Sequence, residues 1–109
     1  MSYNIIAVPN FRKELKALAK KYRSLKTDLA ELFETLEENP TQGVNIGENC
    51  FKIRIAISSK GKGKSGGARI ITNIVISDTT VYLLSIYDKL EKENLTNKEL
   101  EILLSALPK

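Results

Sequence analysis

The sequence predicts a small α+β domain in which an antiparallel-rich sheet carries a helical hairpin on one face. Three observations predict it: two consecutive amphipathic helical segments, then a group of apolar strand-like segments, then a capped helix at the end. At 109 residues the chain can build one hydrophobic core without disulfides or metals. We therefore expect a single domain over residues 1–109 with the element order β-α-α-β-β-β-α.

The first third of the chain is predicted to be a strand followed by two helices. Tyr3 to Val8 is a short apolar run, and Asn10 is a candidate cap for the first helix. Arg23-Ser24 separates the helices, and Asn39-Pro40 ends the second. The acidic residues of the second helix are expected to be a solvated face. The apolar positions at helical spacing are Leu15, Leu18, Ala19 and Tyr22, then Leu25, Leu29, Leu32, Phe33 and Leu36.

The middle of the chain is predicted to form three strands after a turn-rich connector from Gln42 to Asn49. In the first strand Phe51, Ile53, Ile55 and Ile57 alternate with polar or small residues, so one face is buried and the other carries the cations. Ala68 to Ser77 and Val81 to Asp88 are apolar on both faces over part of their length, as central strands of a covered sheet are. Residues 77–79 between them are predicted to be a tight turn.

The C-terminal segment gives the clearest local signal. Thr96 and Glu99 have the spacing of a capping box, and Leu95 and Leu100 have that of the accompanying hydrophobic staple. A helix is therefore predicted to begin after Thr96. Its apolar stripe consists of Leu100, Leu103, Leu104 and Leu107.

Composition excludes several classes of protein. No apolar run approaches the roughly 20 residues of a membrane span, and the N-terminus lacks the pattern of a signal peptide. The single Cys50 cannot form an internal disulfide, so we expect a cytoplasmic protein. There is no histidine, and Cys50 has no evident base nearby. We therefore expect no histidine-based catalysis, no metal site and no cofactor.

The positive charge of the chain is concentrated in one segment. The net charge is +4, but residues 49–77 hold six basic residues and no acidic one, which leaves 11 basic and 13 acidic residues elsewhere. That asymmetry favours a localised anion-binding face. The six cations are Lys52, Arg54, Lys60, Lys62, Lys64 and Arg69.

Residues 58–69 form a flexible basic loop of lysine, glycine and serine between two of the strands. Cations without a nearby acid are typical of a site for a polyanion, and small residues let a nucleic-acid backbone come close. The loop is not a nucleotide-binding P-loop, because Ser58 stands where the first glycine belongs and a strand follows instead of a helix. A hairpin loop made soluble by lysines is the alternative reading of the loop alone.

Cations from the strands are expected to join those of the loop. Lys52 and Arg54 point to one face of their strand, and Arg69 begins the neighbouring strand. Like charges this close repel unless an anion compensates them, which favours anion binding. In an antiparallel meander the end of the last strand lies near Arg69, so Tyr87 is a further candidate. Its alternative reading is a tyrosine at the edge of the core.

The element order and three segments of the sequence resemble the RelE/ParE superfamily of bacterial toxins, and the HigB-like branch in particular. These segments are residues 51–54, the string from Lys60 to Ile71 with its Gly-Lys-Ser-Gly-Gly-x-Arg core, and Val81 to Lys89 followed by Leu95-Thr96. The resemblance implies a RelE-like fold and a ribosome-dependent endoribonuclease that cuts mRNA in the decoding site. It also implies a cognate antitoxin that holds the toxin inactive.

The resemblance assigns roles to the cations. RNA would be cut by attack of its 2′-hydroxyl on the adjacent phosphodiester, with the arginines stabilising the phosphoryl charge and one loop lysine moving a proton. The expected catalytic residues are Arg54, Lys60, Lys62, Lys64, Arg69 and Tyr87, and the expected RNA-binding residues are Lys52, Lys89 and Lys92. Some relatives carry an arginine after the last strand, where this chain has Lys89-Leu90-Glu91-Lys92.

Two other functions remain open from the sequence. A toxin of the same fold that inhibits gyrase would bind protein and do no chemistry. A non-catalytic module would only bind nucleic acid. The loop cations together with Arg69 and Tyr87 favour the nuclease, because a gyrase inhibitor has no need of an assembled phosphate site.

Overall fold

Five strands and three helices make up residues 2–108, the part of the chain that the computed structural model describes. The predicted α+β class is confirmed, with one strand more than expected. In chain order the elements are β1 (Asn4–Ala7), α1 (Pro9–Lys21), α2 (Leu25–Glu38), β2 (Val44–Gly47), β3 (Cys50–Ile55), β4 (Ala68–Val75), β5 (Thr80–Asp88) and α3 (Asn97–Ser105).

The five strands form one mixed sheet in the order β1-β5-β4-β3-β2. Strands β2 to β5 are neighbours in sequence and pair antiparallel, as consecutive hairpins do. The first strand lies parallel to the last, and the α1–α2 hairpin carries the chain from β1 to β2 at the opposite edge of the sheet. The two central strands, β4 and β5, are buried along almost their whole length, which is why both faces of their sequence are apolar.

Helices cover both faces of the sheet. On one face α1 and α2 pack as the predicted hairpin, with Phe11, Leu18, Leu25 and Leu36 among the buried residues. On the other face α3 packs over Tyr87 through Leu100. The predicted capping box begins this helix: the Thr96 hydroxyl accepts from the Glu99 amide, and the Glu99 carboxylate accepts from the Thr96 amide.

Two details of the N-terminal half differ from the predictions. The connector at residues 42–49 contains β2, which was missed because all four of its residues are exposed and the alternation of Val44 and Ile46 is too short to distinguish a strand from a connector. Asn10 is not a cap, since α1 begins at Pro9, whose fixed φ and missing N–H suit the first helical position. The Asn10 amide instead donates to the Leu84 carbonyl and to Glu14.

Strand boundaries also shift by one or two residues. β3 ends at Ile55, although Ile57 beyond it is buried as the alternation predicted. The predicted turn after β4 is confirmed as a short 3₁₀ helix, Ile76–Asp78, that ends at Thr79 with a φ of 51°. Among residues 2–108, no helix combines the length and the apolar character needed to cross a bilayer.

Gly67 fixes the point at which the basic loop joins β4. A Cβ at this position would lie 1.9 Å from the carbonyl oxygen of Ile55, on the neighbouring strand. The Gly67 carbonyl accepts from the Lys89 amide at 3.0 Å, so this residue also joins the loop to the segment after β5. Only glycine allows the loop to close this tightly against β3.

We expect Gly67→Ala to destabilise the fold by about 2 kcal/mol or more, because backbone has to move to admit the methyl group. Gly61→Ala is the matched control. Its Cβ meets nothing within 4 Å, so only its φ of 69° costs stability, roughly 1 kcal/mol. Urea unfolding of the two variants measures the difference. Equal losses would show that the approach to Ile55 does not constrain the loop.

Candidate functional site

Three side chains stand in a row across the middle of the sheet. Arg54 on β3 is paired in register with Arg69 on β4, and Arg69 is paired in register with Tyr87 on β5. Residues directly opposite on antiparallel strands have Cβ atoms about 4.5–5.5 Å apart and point to the same face. The predicted approach of Tyr87 to Arg69 is therefore confirmed. We call Arg54, Arg69 and Tyr87 the cross-strand row.

The two arginines of the row differ in exposure. Arg54 is exposed, whereas Arg69 is only 4% exposed and its guanidinium Nη1 donates to the carbonyls of Lys64 at 2.9 Å and Ala68 at 3.1 Å. Burial lowers the pKa of Arg69, and the charge of Arg54 lowers it further. An arginine keeps its charge in proteins, so the row has one buried positive charge on Arg69 and one accessible positive charge on Arg54.

Tyr87 is buried and its hydroxyl has no hydrogen-bond partner among the described residues. Burial raises the pKa of Tyr87, against smaller opposing effects of the Leu95 backbone and the charge of Arg69. The hydroxyl is therefore protonated at neutral pH. A buried hydroxyl without a partner is uncommon in a folded protein and is a candidate for contact with a ligand.

A cavity of about 190 Å³ opens beside Tyr87, between the sheet and the segment that leads into α3. Lys52 lies in its wall, and the Lys52 ammonium donates to the Asn94 side chain at 3.2 Å. Lys52 thus lies on the same side of the sheet as the row, as the alternation in β3 predicted.

The basic loop is tied to the fold by a buried ion pair. The Lys60 ammonium donates to the Asp88 carboxylate at 2.8 Å, and the two side chains are only 7% and 1% exposed. The Tyr22 hydroxyl donates to the other oxygen of Asp88 at 2.6 Å, and Lys60 lies 5.0 Å from the centre of the Tyr22 ring. Burial by itself would raise the pKa of Asp88, but the bonds from Lys60 and Tyr22 outweigh it and the pKa lies below its ordinary value.

The expectation that the loop lysines have no acid nearby is therefore wrong for Lys60. Asp88 was read only as the end of a strand, and nothing in the local sequence links it to a residue 28 positions away. Because the Lys60 ammonium is buried against a carboxylate, it does not face a ligand. Because Asp88 also accepts from Tyr22 of α1, this ion pair lies on the helical-hairpin face of the sheet, opposite the row.

The start of the loop is held by α2. The Asp28 carboxylate accepts from the Ser58 amide at 2.9 Å and from the Ser58 hydroxyl at 2.6 Å. The Ser59 amide donates to the Ser24 hydroxyl at 2.8 Å. The prediction that Asp28 belongs to a solvated acidic face is wrong for this residue. Burial opposes its charge, but the bonds from Ser58 prevail and lower the pKa of Asp28.

The remaining sequence-predicted cations fall into two groups. Lys62 and Lys64 are exposed and make no ion pair with any residue between 2 and 108, and Lys64 shares a groove with Arg54. Lys89 pairs with Glu93 at 3.7 Å, and Lys92 pairs with Glu99 while lying 5.9 Å from the centre of the Tyr87 ring. Lys92 therefore joins the first turn of α3 to the row.

Cys50 is fully buried, and burial raises the pKa of its thiol. This agrees with the interpretation of Cys50 as a packed residue. In the described part of the chain, no three Cys, Asp or Glu side chains come together as ligands of a metal ion would.

The family model of the RelE toxin of the RelE/RelB toxin–antitoxin system matches residues 11–107 of this sequence. This chain is a member of the RelE toxin family. The match begins within α1, spans every later element and includes the basic loop and the whole cross-strand row.

Solved RelE structures share the fold of this RelE-family toxin. A free double mutant of Escherichia coli RelE superposes with a TM-score of 0.61 at 19% identity, over 85% of this chain and 90% of that one. The toxin–antitoxin complex RelBE2 from Mycobacterium tuberculosis matches with a TM-score of 0.55 at 18% identity, over 81% and 92%. The E. coli mutant bound to an antitoxin RelB peptide matches with a TM-score of 0.52 at 18% identity, over 100% and 98%.

We expect Asp88→Asn to destabilise this toxin by about 3 kcal/mol, because it leaves the Lys60 ammonium buried without its counter-charge. The double variant with Lys60→Met should lose less than the sum of the two single changes, since neither charge is then left alone. Chemical denaturation of the four proteins in this cycle measures the coupling free energy. Strictly additive losses would contradict the ion pair as the anchor of the loop.

The same carboxylate makes stability depend on acid. The folded-state pKa of Asp88 lies below the unfolded value of about 3.9, so its contribution is fully present above that value and is lost as the pH falls through the folded-state pKa. Asp88→Asn should therefore flatten the acid limb of a stability-against-pH curve. An unchanged limb would mean that Asp88 is not ionised in the folded protein.

Proposed function

We propose that this RelE-family toxin is a ribosome-dependent endoribonuclease that cuts mRNA and so inhibits translation. The cross-strand row carries this proposal. Two guanidinium groups and a protonated tyrosine hydroxyl stand side by side without an acid between them, which is what a phosphodiester approaching its transition state requires. The dependence on the ribosome and the choice of mRNA as substrate are inferred from the RelE family, to which the chain belongs.

The reaction that suits these groups begins with attack of the RNA 2′-hydroxyl oxygen on the adjacent phosphorus. The bond from phosphorus to the 5′-oxygen breaks, and the products are a 2′,3′-cyclic phosphate and a 5′-hydroxyl. The 2′-hydroxyl loses its proton, and the leaving 5′-oxygen gains one. Negative charge grows on the phosphoryl oxygens during attack, so the groups facing them should be cationic donors.

Each member of the row has a distinct part in this scheme. Arg54 is exposed and contacts the phosphoryl oxygens directly. Arg69 is nearly buried, so it acts as a fixed charge below the phosphate, where screening by water is weaker than at the surface. The Tyr87 hydroxyl is protonated and has no partner among the described residues, and it donates to an oxygen of the reacting phosphate once RNA binding uncovers it.

Proton transfer falls to a lysine of the loop. Lys60 is removed from consideration by its ion pair with Asp88. Lys64 is the best placed of the other two, because its own carbonyl holds the Arg69 guanidinium and its side chain lies in the groove beside Arg54. The RNA on either side of the reacting phosphate is bound by the remaining lysines, which are Lys52, Lys62, Lys89 and Lys92.

We also propose a cognate antitoxin as the partner of this toxin. RelE of E. coli has been crystallised with RelB, and RelBE2 of M. tuberculosis is a toxin–antitoxin complex. An antitoxin that silences the reaction described above has to block the row or neutralise it. We therefore expect the inhibitory segment to bring carboxylates close to Arg54.

The first test of the nuclease uses Arg54→Ala in an in vitro translation reaction. Cleavage of mRNA should depend on ribosomes and fall by roughly 10²–10³-fold in this variant, which loses the exposed phosphate donor. Its thermal stability should be unchanged or higher, because the repulsion of Arg69 is relieved. Lys98→Ala, at an exposed position in the first turn of α3, is the matched control and should cleave as the wild type does.

If the mRNA stayed intact in the presence of the wild-type toxin, that result would contradict the proposed nuclease activity. If gyrase–DNA cleavage complexes then accumulated, the chain would be a gyrase inhibitor. Binding of RNA without either effect would indicate a module that only binds nucleic acid.

Tyr87→Phe separates function from folding in a second test. The hydroxyl is buried without a partner, so its removal should leave stability unchanged or raise it by about 1 kcal/mol. Cleavage should nevertheless fall by roughly 10²-fold, because a proton donor is lost. Full cleavage with raised stability would show that Tyr87 is only a tyrosine at the edge of the core.

A further inference from the structure

One irregularity interrupts the pairing of β4 with β5, next to the cross-strand row. Ile71 pairs with Ser85, whereas the following residue of β4, Thr72, pairs with Leu83. Leu84 therefore has no partner of its own on β4, and β5 carries one residue more than β4 over this stretch. This is a β-bulge, a feature that changes the direction in which the later side chains of a strand point. We call Leu84 and Ser85 the β5 bulge.

The β5 bulge determines the face of the sheet on which Tyr87 lies. Leu84 packs with α3, so strict alternation after it would turn Ile86 toward α3 and Tyr87 toward the helical hairpin. The structure has the opposite arrangement, because Ile86 is buried under the hairpin and Tyr87 packs with α3. Without the extra residue, continued pairing would place Ile86 opposite Arg69. The bulge thus brings the tyrosine into the row.

Beyond Leu83, the side of β5 that faces away from β4 has no neighbouring strand within residues 2–108. β1 pairs with β5 only as far as Leu83, and the chain leaves the sheet at Pro9, where α1 begins. Ser85 and Ile86 are nevertheless each only 1% exposed. A buried backbone group without a hydrogen-bond partner costs free energy. The bulge therefore needs partners from another element.

Two side chains of α1 supply these partners. The side-chain amide of Asn10 donates to the Leu84 carbonyl at 3.0 Å. Atom Oε1 of Glu14 accepts from the Ile86 backbone amide at 3.2 Å. The same oxygen accepts from the Ser85 hydroxyl at 2.8 Å and from the Asn10 side chain at 2.9 Å. Residues four apart lie on one face of a helix, so Asn10 and Glu14 together serve β5 as an adjacent strand would.

Glu14 is the main support of the bulge. Its carboxylate holds three donors on one oxygen, and hydrogen bonds to an ionised acceptor are stronger than those between neutral groups. One of these donors belongs to Ile86, the residue directly before Tyr87. Within residues 2–108, Glu14 makes no hydrogen bond to a residue of the row. It therefore influences Tyr87 through the backbone of β5.

We propose that Glu14 is a positioning residue of the nuclease, which holds the β5 bulge and so keeps Tyr87 beside Arg69. The proposal rests on the function proposed above, because the placement of Tyr87 matters to cleavage only if the row cuts RNA. The part played by Glu14 is to accept hydrogen bonds. It does not bind the message and does not move a proton.

The test compares Glu14→Ala, which removes the acceptor oxygen, with Glu14→Gln, which keeps an oxygen and removes the charge. Glu37→Ala, at an exposed position of α2, is the matched control for the loss of a helical glutamate. Two quantities are measured for each protein, below its unfolding temperature. The first is kcat and KM for cleavage of mRNA on ribosomes. The second is the pKa of Tyr87, from an NMR titration of ¹³C-labelled tyrosine rings assigned with Tyr87→Phe.

Glu14→Ala should lower kcat by roughly tenfold or more, because a misplaced catalytic group costs rate. KM should stay the same, since the cations that bind the message are unchanged. The pKa of Tyr87, which burial raises in the wild type, should fall toward its ordinary value as the ring leaves its place. Glu14→Gln should keep kcat within roughly threefold of the wild type, because its amide oxygen accepts the same bonds.

Three results would overturn the proposal. Wild-type kcat and Tyr87 pKa in Glu14→Ala would show that the bulge holds without Glu14. Loss of cleavage in Glu14→Gln equal to that in Glu14→Ala would assign the effect to charge. A rise in KM at constant kcat would assign Glu14 to RNA binding. If Glu14→Ala does not fold, Asn10→Ala replaces it, with the same expected fall in kcat at constant KM.

This proposal and the proposed function fail in different ways. A wild type that does not cut mRNA contradicts the proposed function, and with it the role of Glu14 in cleavage. A wild type that cuts mRNA on ribosomes, together with a Glu14→Ala variant that cuts it equally well, contradicts only the role of Glu14.

Discussion

The antiparallel register of β3, β4 and β5 is the constraint on which the account of this toxin depends. It places Arg54 opposite Arg69 and Arg69 opposite Tyr87, so the site is assembled by backbone pairing and not by a flexible loop. A slip of one residue would turn each side chain to the other face. The register is held because Ile53, Ile70 and Ile86 on the opposite face are buried under the helical hairpin.

Holding two guanidinium groups side by side costs stability, and the surrounding structure offsets that cost. Arg69 is held by the carbonyls of Lys64 and Ala68, which share its charge without neutralising it. Asp88, the residue after Tyr87, points to the opposite face of the sheet and is paired there with Lys60 and Tyr22. Lys60 thus fastens the loop on the helical-hairpin face, and the Asp88 carboxylate does not reduce the positive charge of the row.

The strands could be predicted from the sequence because their signals are local. Alternation in β3 placed the cations on one face, and the meander of three strands was enough to bring Tyr87 toward Arg69. β2 could not be predicted, because this exposed edge strand has only two apolar residues, Val44 and Ile46, in a segment rich in turn residues. The residues matched by the RelE family model include the whole row, but the match does not indicate which of the cations form ion pairs in this chain.

The sequence did not show which charged and polar side chains bind one another over long distances. Lys60 with Asp88, and Ser58 with Asp28, join residues that only the folded chain brings together. Glu14 is one of the 13 acidic residues counted outside the basic segment, and its carboxylate is turned inward toward the sheet. A balanced count of charges therefore concealed an α1 surface that is wholly basic.

The central claim is that the row promotes attack by the RNA 2′-hydroxyl. It is tested most directly with a message that carries a single 2′-deoxynucleotide on the 5′ side of the bond that the toxin cuts on the ribosome. We predict that this bond stays intact, while the all-ribose message is cut and its upstream fragment ends in a 2′,3′-cyclic phosphate. Cleavage of the deoxy-substituted bond would contradict it.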